Sequence, residues 1–364
     1  MSNYREWSMR DEFNPFNTLK ILRHADYWSN INIEDGKIFV PPPIAVTIDP
    51  ANICNYSCIG CNAQKVIAEN KTVMSEKWMN ELPQFLNDWG VRSVTLAGGG
   101  EPLMSPYMND FFAKSSDSKY ELALITNGYF IDKFLMPIGL LTKWVGVSVD
   151  AGTAETYAYI KNTDVASFNV VLKNIKKLTS IHPRVTYKFL INKQNIEEIY
   201  TAVMIAKDLG CSAIHIRPIG LTWYETDKKQ IFSGEQVDKA LAAISEARQA
   251  FEDNSFKVYG VTHKFDKNWQ LANCFEKCWA TFMYLVMEPN GVVSTCCDNR
   301  GNPAMQLAKG LGSPWEILKY WGSEAHVKMF NEIDVKKCPR CTFTLHNSAY
   351  ENCILKDKMD VNFI

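Results

Sequence analysis

Six short apolar segments rich in β-branched residues alternate with segments of helical character between residues 44 and 220. Strands that alternate with helices along a chain form βαβ units around a parallel sheet. The repetition therefore predicts an α/β fold, and periodicity alone does not choose between an open sheet and an incomplete barrel. The predicted strands are Ile44–Ile48, Ser93–Ala97, Leu122–Ile125, Trp144–Val149, Val185–Ile191 and Ala213–Arg217.

Proline and capping residues mark the helices. Pro83 should kink or interrupt the first long helix, because proline removes a backbone donor. Ser233 and Gln236 form a capping box that predicts a helix reaching about Asn254. A second box lies at residues 313–316, with proline in the first helical position. The helices predicted between the strands are Ser75–Trp89, Thr153–Lys161, Phe168–Leu178 and Ile196–Leu209.

The composition changes near residues 255–270, beyond which loops, aromatic residues and cysteines dominate. Seven of the eleven cysteines fall between residues 274 and 353. We therefore predict three parts: a leader packed on the α/β part (residues 1–43), the α/β part itself (residues 44–255), and a small cysteine-rich domain (residues 256–364).

Charge and hydropathy exclude two kinds of partner. Lys and Arg total 39 against 40 Asp and Glu, whereas a protein that grips nucleic acid through its phosphates is usually more basic. The most apolar stretch, residues 134–149, is broken by Pro137 and Lys143 and is too short to span a membrane. The polar first residues do not form a signal peptide. These features predict a cytoplasmic protein without a membrane or nucleic-acid partner, in which clustered cysteines indicate metal or redox chemistry rather than disulfides.

Three cysteines follow the first predicted strand directly, as Cys54-x3-Cys58-x2-Cys61. A compact loop of this kind can aim all three sulfurs at one inorganic cluster. A structural zinc normally takes four protein ligands, whereas a four-iron cluster held by three cysteines leaves one iron open to another ligand. The alternatives are a zinc completed by a distant residue and three unrelated buried thiols.

The spacing CxxxCxxC on the loop after the first strand resembles the signature of the radical S-adenosylmethionine (SAM) superfamily. Gly60 departs from it, because the residue before the third cysteine is commonly aromatic in that family. Later strand ends resemble the family's GGE, TNG and S-x-D motifs in the same order. The matching residues are Gly99, Gly100, Glu101, Thr126, Asn127, Ser148 and Asp150.

The resemblance implies a partial (β/α)6 TIM-like barrel with a 4Fe-4S cluster on the three cysteines. It also implies that the GGE segment holds the amino group of SAM, while the later motifs reach its ribose and carboxylate. Ser148 is the preferred contact, because Asp150 could instead cap the helix that begins near Thr153. Lys188 and Asn192, on the fifth strand and just after it, are candidates for the SAM carboxylate or for the substrate.

The C-terminal cysteines follow the pattern C-x12-G-x4-C and then CxxC, which resembles the SPASM and Twitch extensions of radical SAM enzymes. The resemblance implies one auxiliary 4Fe-4S cluster, with two clusters and a zinc ribbon as alternatives. Cys274, Cys297 and Cys353 are spare cysteines that could replace a ligand. The expected ligands are Cys278, Cys296, Cys338 and Cys341.

The resemblance implies reductive cleavage of SAM to a 5′-deoxyadenosyl radical, with an electron from a donor such as flavodoxin or ferredoxin, and abstraction of a substrate hydrogen. An auxiliary cluster would favour a two-electron oxidation of a small polyol, amino sugar or related metabolite. Glu225, Tyr224 and Asp298 are candidate bases, and Arg217 is either a catalytic group or a rim salt bridge. The alternatives are a peptide-modifying maturase and a non-catalytic binding protein stabilised by zinc or a cluster.

Overall fold

Ten strands form one sheet in the computed structural model, which describes residues 18–34, 36–220, 222–224, 232–265, 275–338 and 341–355. The order across the sheet is β10-β9-β8-β1-β2-β3-β4-β5-β6-β7. The strands are β1 (Ala45–Ile48), β2 (Ser93–Leu96), β3 (Glu121–Thr126), β4 (Thr142–Ser148), β5 (Val185–Ile191), β6 (Ala213–Pro218), β7 (Lys257–Gly260), β8 (Tyr284–Met287), β9 (Val293–Ser294) and β10 (Gln306–Ala308).

All neighbours from β1 to β7 pair in parallel, and β8 pairs in parallel with β1 on the other side. β9 and β10 continue that edge as antiparallel strands. Strands β5 and β6 are buried on almost every residue, as expected where helices cover one face and a core fills the other. The order has two ends, so the sheet is a partial TIM-like barrel, as the motifs implied.

All six predicted strands are present, but the count of six is too small. Lys257–Gly260 adds a seventh parallel strand beyond the predicted boundary at residue 255. Tyr284–Met287, from the cysteine-rich part, pairs with the first strand. Both segments are only four residues long, and their place in the sheet depends on partners distant in the chain, so local periodicity did not reveal them. The sheet therefore crosses the predicted boundary.

In the described part of the chain, one helix precedes β1, eight lie between β1 and β7, and two follow β10. They are α1 (Ala25–Ser29), α2 (Gln64–Glu69), α3 (Glu76–Trp89), α4 (Met108–Lys114), α5 (Leu135–Leu141), α6 (Ala154–Lys161), α7 (Ala166–Thr179), α8 (Ile199–Asp208), α9 (Gly234–Phe251), α10 (Glu324–Glu332) and α11 (Thr344–Ala349).

The helix α3 runs through Pro83 without interruption, so of the two expected effects, a kink or an interruption, the interruption is wrong. Ser75 caps its first turn by accepting a hydrogen bond from the Trp78 amide at 3.3 Å. Pro83 is buried beside Leu82, so tertiary packing of this face offsets the hydrogen bond that proline removes.

The capping predictions hold in part. Ser233 and Gln236 form the reciprocal box at the start of α9. Ser313 caps a short 3-10 helix, Pro314–Lys319, rather than an α-helix. The cap of α6 is Thr153, whose hydroxyl accepts from the Thr156 amide at 3.3 Å, so Asp150 does not cap this helix.

The described part of the leader packs against both the barrel and the cysteine-rich part. Arg92, just before β2, contacts Asp26 at 3.0 Å. The ring of Trp28 lies 4.5 Å from that of Tyr350, between centroids. In the described part of the chain, no helix is both long and apolar enough to cross a bilayer.

Candidate functional site

A cavity of about 1130 Å³ lies inside the barrel. Its lining includes most of the site residues predicted from the motifs, because parallel strands bring their carboxyl ends to one side. The predicted residues that line it are Cys54, Cys58, Cys61, Gly99, Gly100, Glu101, Thr126, Asn127, Ser148, Lys188, Arg217 and Asp298.

The loop that carries the three cysteines is anchored to the end of α6. The Ser57 amide donates to the Lys161 carbonyl at 3.2 Å, and the Ile59 amide donates to the Ile160 carbonyl at 2.9 Å. The side-chain amide of Asn162 donates to the Ser57 hydroxyl at 2.7 Å. Carbonyls at a helix end lack partners within the helix, so the cysteine loop takes up bonding capacity that α6 leaves open.

The three loop cysteines are partly buried, and their thiols interact electrostatically with one another. Burial and, to a smaller extent, the neighbouring Glu101, Cys58 and Cys61 together raise the pKa of Cys54 to about 12. Burial also raises the pKa of Cys58. Such thiols stay protonated by themselves and become thiolates when they bind metal.

In the described ranges, no three His, Cys, Asp or Glu side chains gather closely enough to hold one metal ion. A four-iron cluster bonds each cysteine sulfur to a separate iron, so its ligands need only face the same space.

The two glycines of the GGE segment allow one stretch of backbone to approach another. A Cβ on Gly100 would lie 2.0 Å from the Ile53 carbonyl oxygen, and one on Gly99 would lie 2.1 Å from the Asn52 side-chain oxygen. The Gly100 amide donates to the Ala51 carbonyl at 2.9 Å. The close approach seen here is to the segment that leads into Cys54, and both glycines also line the cavity.

Glu101 is buried, and its carboxylate joins the ends of β2 and β3. Oε1 accepts from the Thr126 hydroxyl at 2.6 Å and from the Leu103 amide at 3.1 Å. Oε2 accepts from the Asn127 amide at 2.8 Å. Burial raises the pKa of Glu101 to about 7, although these hydrogen bonds favour the ionised form.

Asp150 and Asn192 are turned towards the chain itself and are not among the described residues that line the cavity. Asp150 Oδ2 pairs with Lys161 Nζ at 2.5 Å, and Oδ1 accepts from the Leu190 amide at 2.7 Å. Asn192 Oδ1 accepts from the Gln194 amide at 3.0 Å in the turn after β5. Of the two S-x-D residues, Ser148 is therefore the one placed to meet a ligand.

Lys161 is a residue that the sequence analysis missed. It lines the cavity, is 2% exposed and lies close enough to Cys58 to oppose the rise in that thiol's pKa. Lys161 lies at the end of a helix and belongs to no recognisable sequence motif, and its partner Asp150 lies 11 residues away.

Of the four candidate catalytic residues, the described structure places two in the cavity. Asp298 and Arg217 line the cavity, and Asp298 accepts from the Thr342 amide at 2.7 Å. Tyr224 is not among the described lining residues and its ring lies 5.7 Å from Lys65 Nζ. Glu225 lies outside the described residues. Asp298 is therefore the candidate base that the described structure places in the cavity.

The four candidate auxiliary ligands come together in the cysteine-rich part. They pack against a small apolar cluster separate from the main core, and burial raises the pKa of each thiol. Asp298 contributes to that rise at three of them, so these sulfurs lie next to a residue of the cavity. The four are Cys278, Cys296, Cys338 and Cys341.

The remaining cysteines fall in different places. Cys297 lines the cavity, whereas Cys211 is buried beside a strand. Cys274 and the side chain of Cys353 lie outside the described residues.

A second buried ion pair links the cysteine-rich part to the barrel. Arg300 Nε lies 2.7 Å from Asp49 Oδ2, and Nη2 lies 3.1 Å from Oδ1, in a bidentate contact just after β1. Arg300 Nη1 also donates to the Cys297 carbonyl at 2.9 Å. This pair fixes the segment that bears Cys296 and Asp298 over one end of the barrel.

Comparisons with known proteins give one family match and two groups of similar proteins. Residues 48–204 match the family model described as the Radical SAM superfamily. A probable GTP 3′,8-cyclase of Saccharolobus islandicus is 25% identical over 176 residues, which cover 47% of this chain and 56% of that protein. An Fe-coproporphyrin III synthase of Methanosarcina barkeri is 31% identical over 150 residues, covering 40% and 36%. The match thus spans about half the length of this cyclase.

Two solved structures share the fold across most of the chain. Streptococcus suis SuiB bound to its precursor peptide SuiA has a TM-score of 0.65 and 16% identity, covering 94% of this chain and 79% of SuiB. Native anSMEcpe with bound AdoMet has a TM-score of 0.59 and 15% identity, covering 84% and 88%. At these identities the likeness concerns the fold alone. Residues 48–204, with the cysteine loop and three motif-bearing strand ends inside the match, are thus similar to the radical SAM superfamily, whose enzymes use a 4Fe-4S cluster and S-adenosylmethionine.

Proposed function

We propose that Cys54, Cys58 and Cys61 hold a 4Fe-4S cluster, that SAM binds beside it, and that the chain removes a hydrogen atom from a small substrate in the same cavity. When bound, the cluster and SAM supply a 5′-deoxyadenosyl radical that takes this hydrogen. The observation that carries the proposal is that the three cysteines and the motif residues at the ends of β2, β3 and β4 line one cavity.

The cavity fits this content in size and chemistry. Its volume of about 1130 Å³ exceeds that of most single-ligand pockets, which leaves room for a cofactor and a substrate together. The thiols are partly buried and interact with one another, so they can act as ligands once deprotonated by metal.

The polar groups at the strand ends fit the two charged groups of SAM. Glu101 already accepts three hydrogen bonds, and a carboxylate has about four acceptor sites, so it can accept one more from the ammonium group. Ser148 and Lys188 line the same cavity and are suited to the carboxylate and ribose. The chain's role here is to orient the cofactor and exclude water.

In the cysteine-rich part, Cys278, Cys296, Cys338 and Cys341 would hold one auxiliary cluster, which would supply an electron acceptor. Asp298, which lines the cavity, would take up the proton that a hydroxyl group releases when its carbon is oxidised. Loss of one hydrogen atom, one electron and one proton is a two-electron oxidation. We therefore propose dehydrogenation of a small hydroxylated metabolite such as a polyol, an amino sugar or a related compound, with the first electron from a flavodoxin-like or ferredoxin-like donor.

Modification of a peptide is the second candidate function. It is favoured by the shared fold with SuiB, which was solved with its precursor peptide SuiA, across 94% of this chain. The two candidates are distinguished by substrate. A peptide substrate would become oxidised or cross-linked on a side chain, whereas a metabolite would gain a carbonyl group.

Anaerobic reconstitution followed by iron and sulfide analysis tests the cluster sites. We expect about eight irons per chain, falling to about four in Cys58→Ala and in Cys338→Ala. Cys211→Ala and Cys297→Ala serve as controls and should keep about eight, because neither is a proposed ligand. An unchanged iron content in Cys58→Ala would show that Cys58 is not a ligand of the first cluster. A lower iron content in Cys297→Ala would show that Cys297 takes the place of one proposed auxiliary ligand.

Release of 5′-deoxyadenosine from SAM under a strong reductant tests the enzyme activity itself. The wild-type chain should release it, and Cys58→Ala should not. A chain that binds about eight irons but releases none would be a cluster-stabilised binding protein instead.

A further inference from the structure

The cavity is lined at the amino ends of the strands as well as at the carboxyl ends, and the amino-end lining is strongly basic. Arg92 and Arg184 directly precede β2 and β5, Lys143 is the second residue of β4, and Lys257 opens β7. Lys20, from the 3-10 helix Thr18–His24, joins them from the leader. We call these five residues the basic rim.

Backbone hydrogen bonds place Arg92 and Arg184 at the starts of their strand ladders. The Glu121 amide donates to the Arg92 carbonyl at 3.0 Å, which places Arg92 at the start of the β2–β3 ladder. The Val145 amide donates to the Arg184 carbonyl at 3.0 Å, which places Arg184 at the start of the β4–β5 ladder. The rim therefore follows from the register of the parallel strands, each of which begins at the same edge.

Negative charge at this edge is scarce among the described residues. Glu121 is the acidic residue that lines it, and Asp26 pairs with Arg92 from outside the cavity lining. The pKa of Lys20 is lowered mainly by burial, and Arg184 lowers it further while Glu121 opposes the shift. Lys20 and Arg184 thus lie close enough to repel each other, although the whole chain has a net charge of −1.

A cleft lined by charges of one sign concentrates the field within it and attracts the opposite charge. Lys188 and Arg217 carry positive charge deeper in the same cavity, towards the cysteines. A ligand that extends from the rim towards the SAM site would therefore meet cations along its length.

We propose that the basic rim binds a phosphate or carboxylate group of the substrate, so that the substrate is a small anionic molecule whose anionic end lies at the amino ends of the strands. This inference rests on the proposed function for the location of the reacting end. It names the chemical class of the substrate, which the motifs do not specify.

Binding of simple anions to the reconstituted, SAM-loaded protein without reductant tests the proposal. Pyrophosphate and citrate represent the phosphate and carboxylate sources, glycerol is the neutral comparison, and hexaglutamate represents an acidic peptide. We expect one of the two small anions to bind and the dissociation constant to rise roughly tenfold in Lys20→Gln/Lys143→Gln. The control Lys77→Gln/Lys328→Gln removes the same charge from exposed helix faces and should bind like the wild type.

The salt dependence gives a second measurement that needs no variant. Affinity for the small anion should weaken severalfold between about 0.02 M and about 0.2 M salt, because the rim is largely open to solvent. The proposal is overturned if neither small anion binds, if both double variants lose affinity equally, or if only hexaglutamate responds to the rim variant. The proposed function fails separately, through absence of 5′-deoxyadenosine, because anion binding is measured without radical chemistry.

Discussion

Glu101 Oε1 accepts a hydrogen bond from the Thr126 hydroxyl at 2.6 Å, so two motifs 25 residues apart in the chain meet at one carboxylate. The same carboxylate accepts from the Asn127 amide at 2.8 Å. The predicted SAM-binding residues are therefore held by one another before any ligand is present, and a substitution at one of them acts on the others.

Replacing Glu101 by Gln should weaken SAM binding and lower the stability of the fold. The amide's NH2 group would face a hydroxyl or amide donor where an oxygen now accepts, and an unsatisfied buried group costs about 1–3 kcal/mol. SAM binding by equilibrium dialysis and the thermal unfolding temperature measure the two effects. Thr126→Ser keeps the hydroxyl donor and is the control. If Glu101→Gln bound SAM like the wild type, the bonds at this carboxylate would not position the ligand.

Gly100→Ala should destabilise the fold strongly, because its Cβ would lie 2.0 Å from the backbone carbonyl of Ile53. Backbone cannot move aside as a flexible side chain can, so we expect a loss of about 3 kcal/mol or more. Gly234→Ala, where no atom lies within 4 Å of the added Cβ, should be neutral or stabilising by up to about 1 kcal/mol. Thermal unfolding of both variants measures the difference, and equal midpoints would show that residues 51–53 can shift.

Lys161→Met should be more damaging than the loss of both partners of the ion pair. It leaves the Asp150 carboxylate buried without its cation, which costs about 3–5 kcal/mol. Asp150→Asn/Lys161→Met should recover much of this, because asparagine tolerates the positive φ of 62° at position 150. Anaerobic thermal unfolding of the two single variants and the double variant measures the coupling. Additive losses would mean that the pair does not interact.

His326 should make stability depend on pH. Burial lowers its pKa to about 4, while Nε2 donates to the Thr281 carbonyl at 3.1 Å and Nδ1 accepts from the Gly322 amide at 3.1 Å. The unfolded chain, with a pKa of about 6.5, binds the proton more readily. The stabilising effect is therefore complete above about pH 6.5 and is lost as the pH falls towards 4, by on the order of 3 kcal/mol.

The comparison of wild type with His326→Gln isolates this effect, because the other titrating groups are common to both. The difference in their free energies of unfolding should change between about pH 7 and about pH 4. A difference independent of pH would show that His326 is not held neutral by its surroundings.

Short-range order explains why much of the architecture was predictable. Each of the six predicted strands is a contiguous apolar segment, and Ser75 and Ser233 cap the helices that follow them. These features depend on residues close in the chain. By contrast, β7 and β8 are short segments that become strands only by pairing with β6 and β1.

The candidate site divides in the same way. The spacing alone identified Cys54, Cys58 and Cys61 as candidate ligands, because a loop of eight residues keeps three sulfurs close to one another whatever surrounds it. No spacing indicated that Asp49 would pair with Arg300, which lies 251 residues away, or that Asp150 would turn from the cavity to Lys161.

The amino-acid sequence by itself determined the parallel α/β repeat, the cysteine loop and the order of the motif-bearing strand ends, because each depends on neighbouring residues and on the common direction of parallel strands. Only the tertiary structure decided which polar groups face the cavity and which bond to the chain, and it alone gathered five cations from separate segments into the basic rim. The physical reason is that burial, ion pairing and strand register are properties of residues brought together by folding, and a linear pattern does not record them.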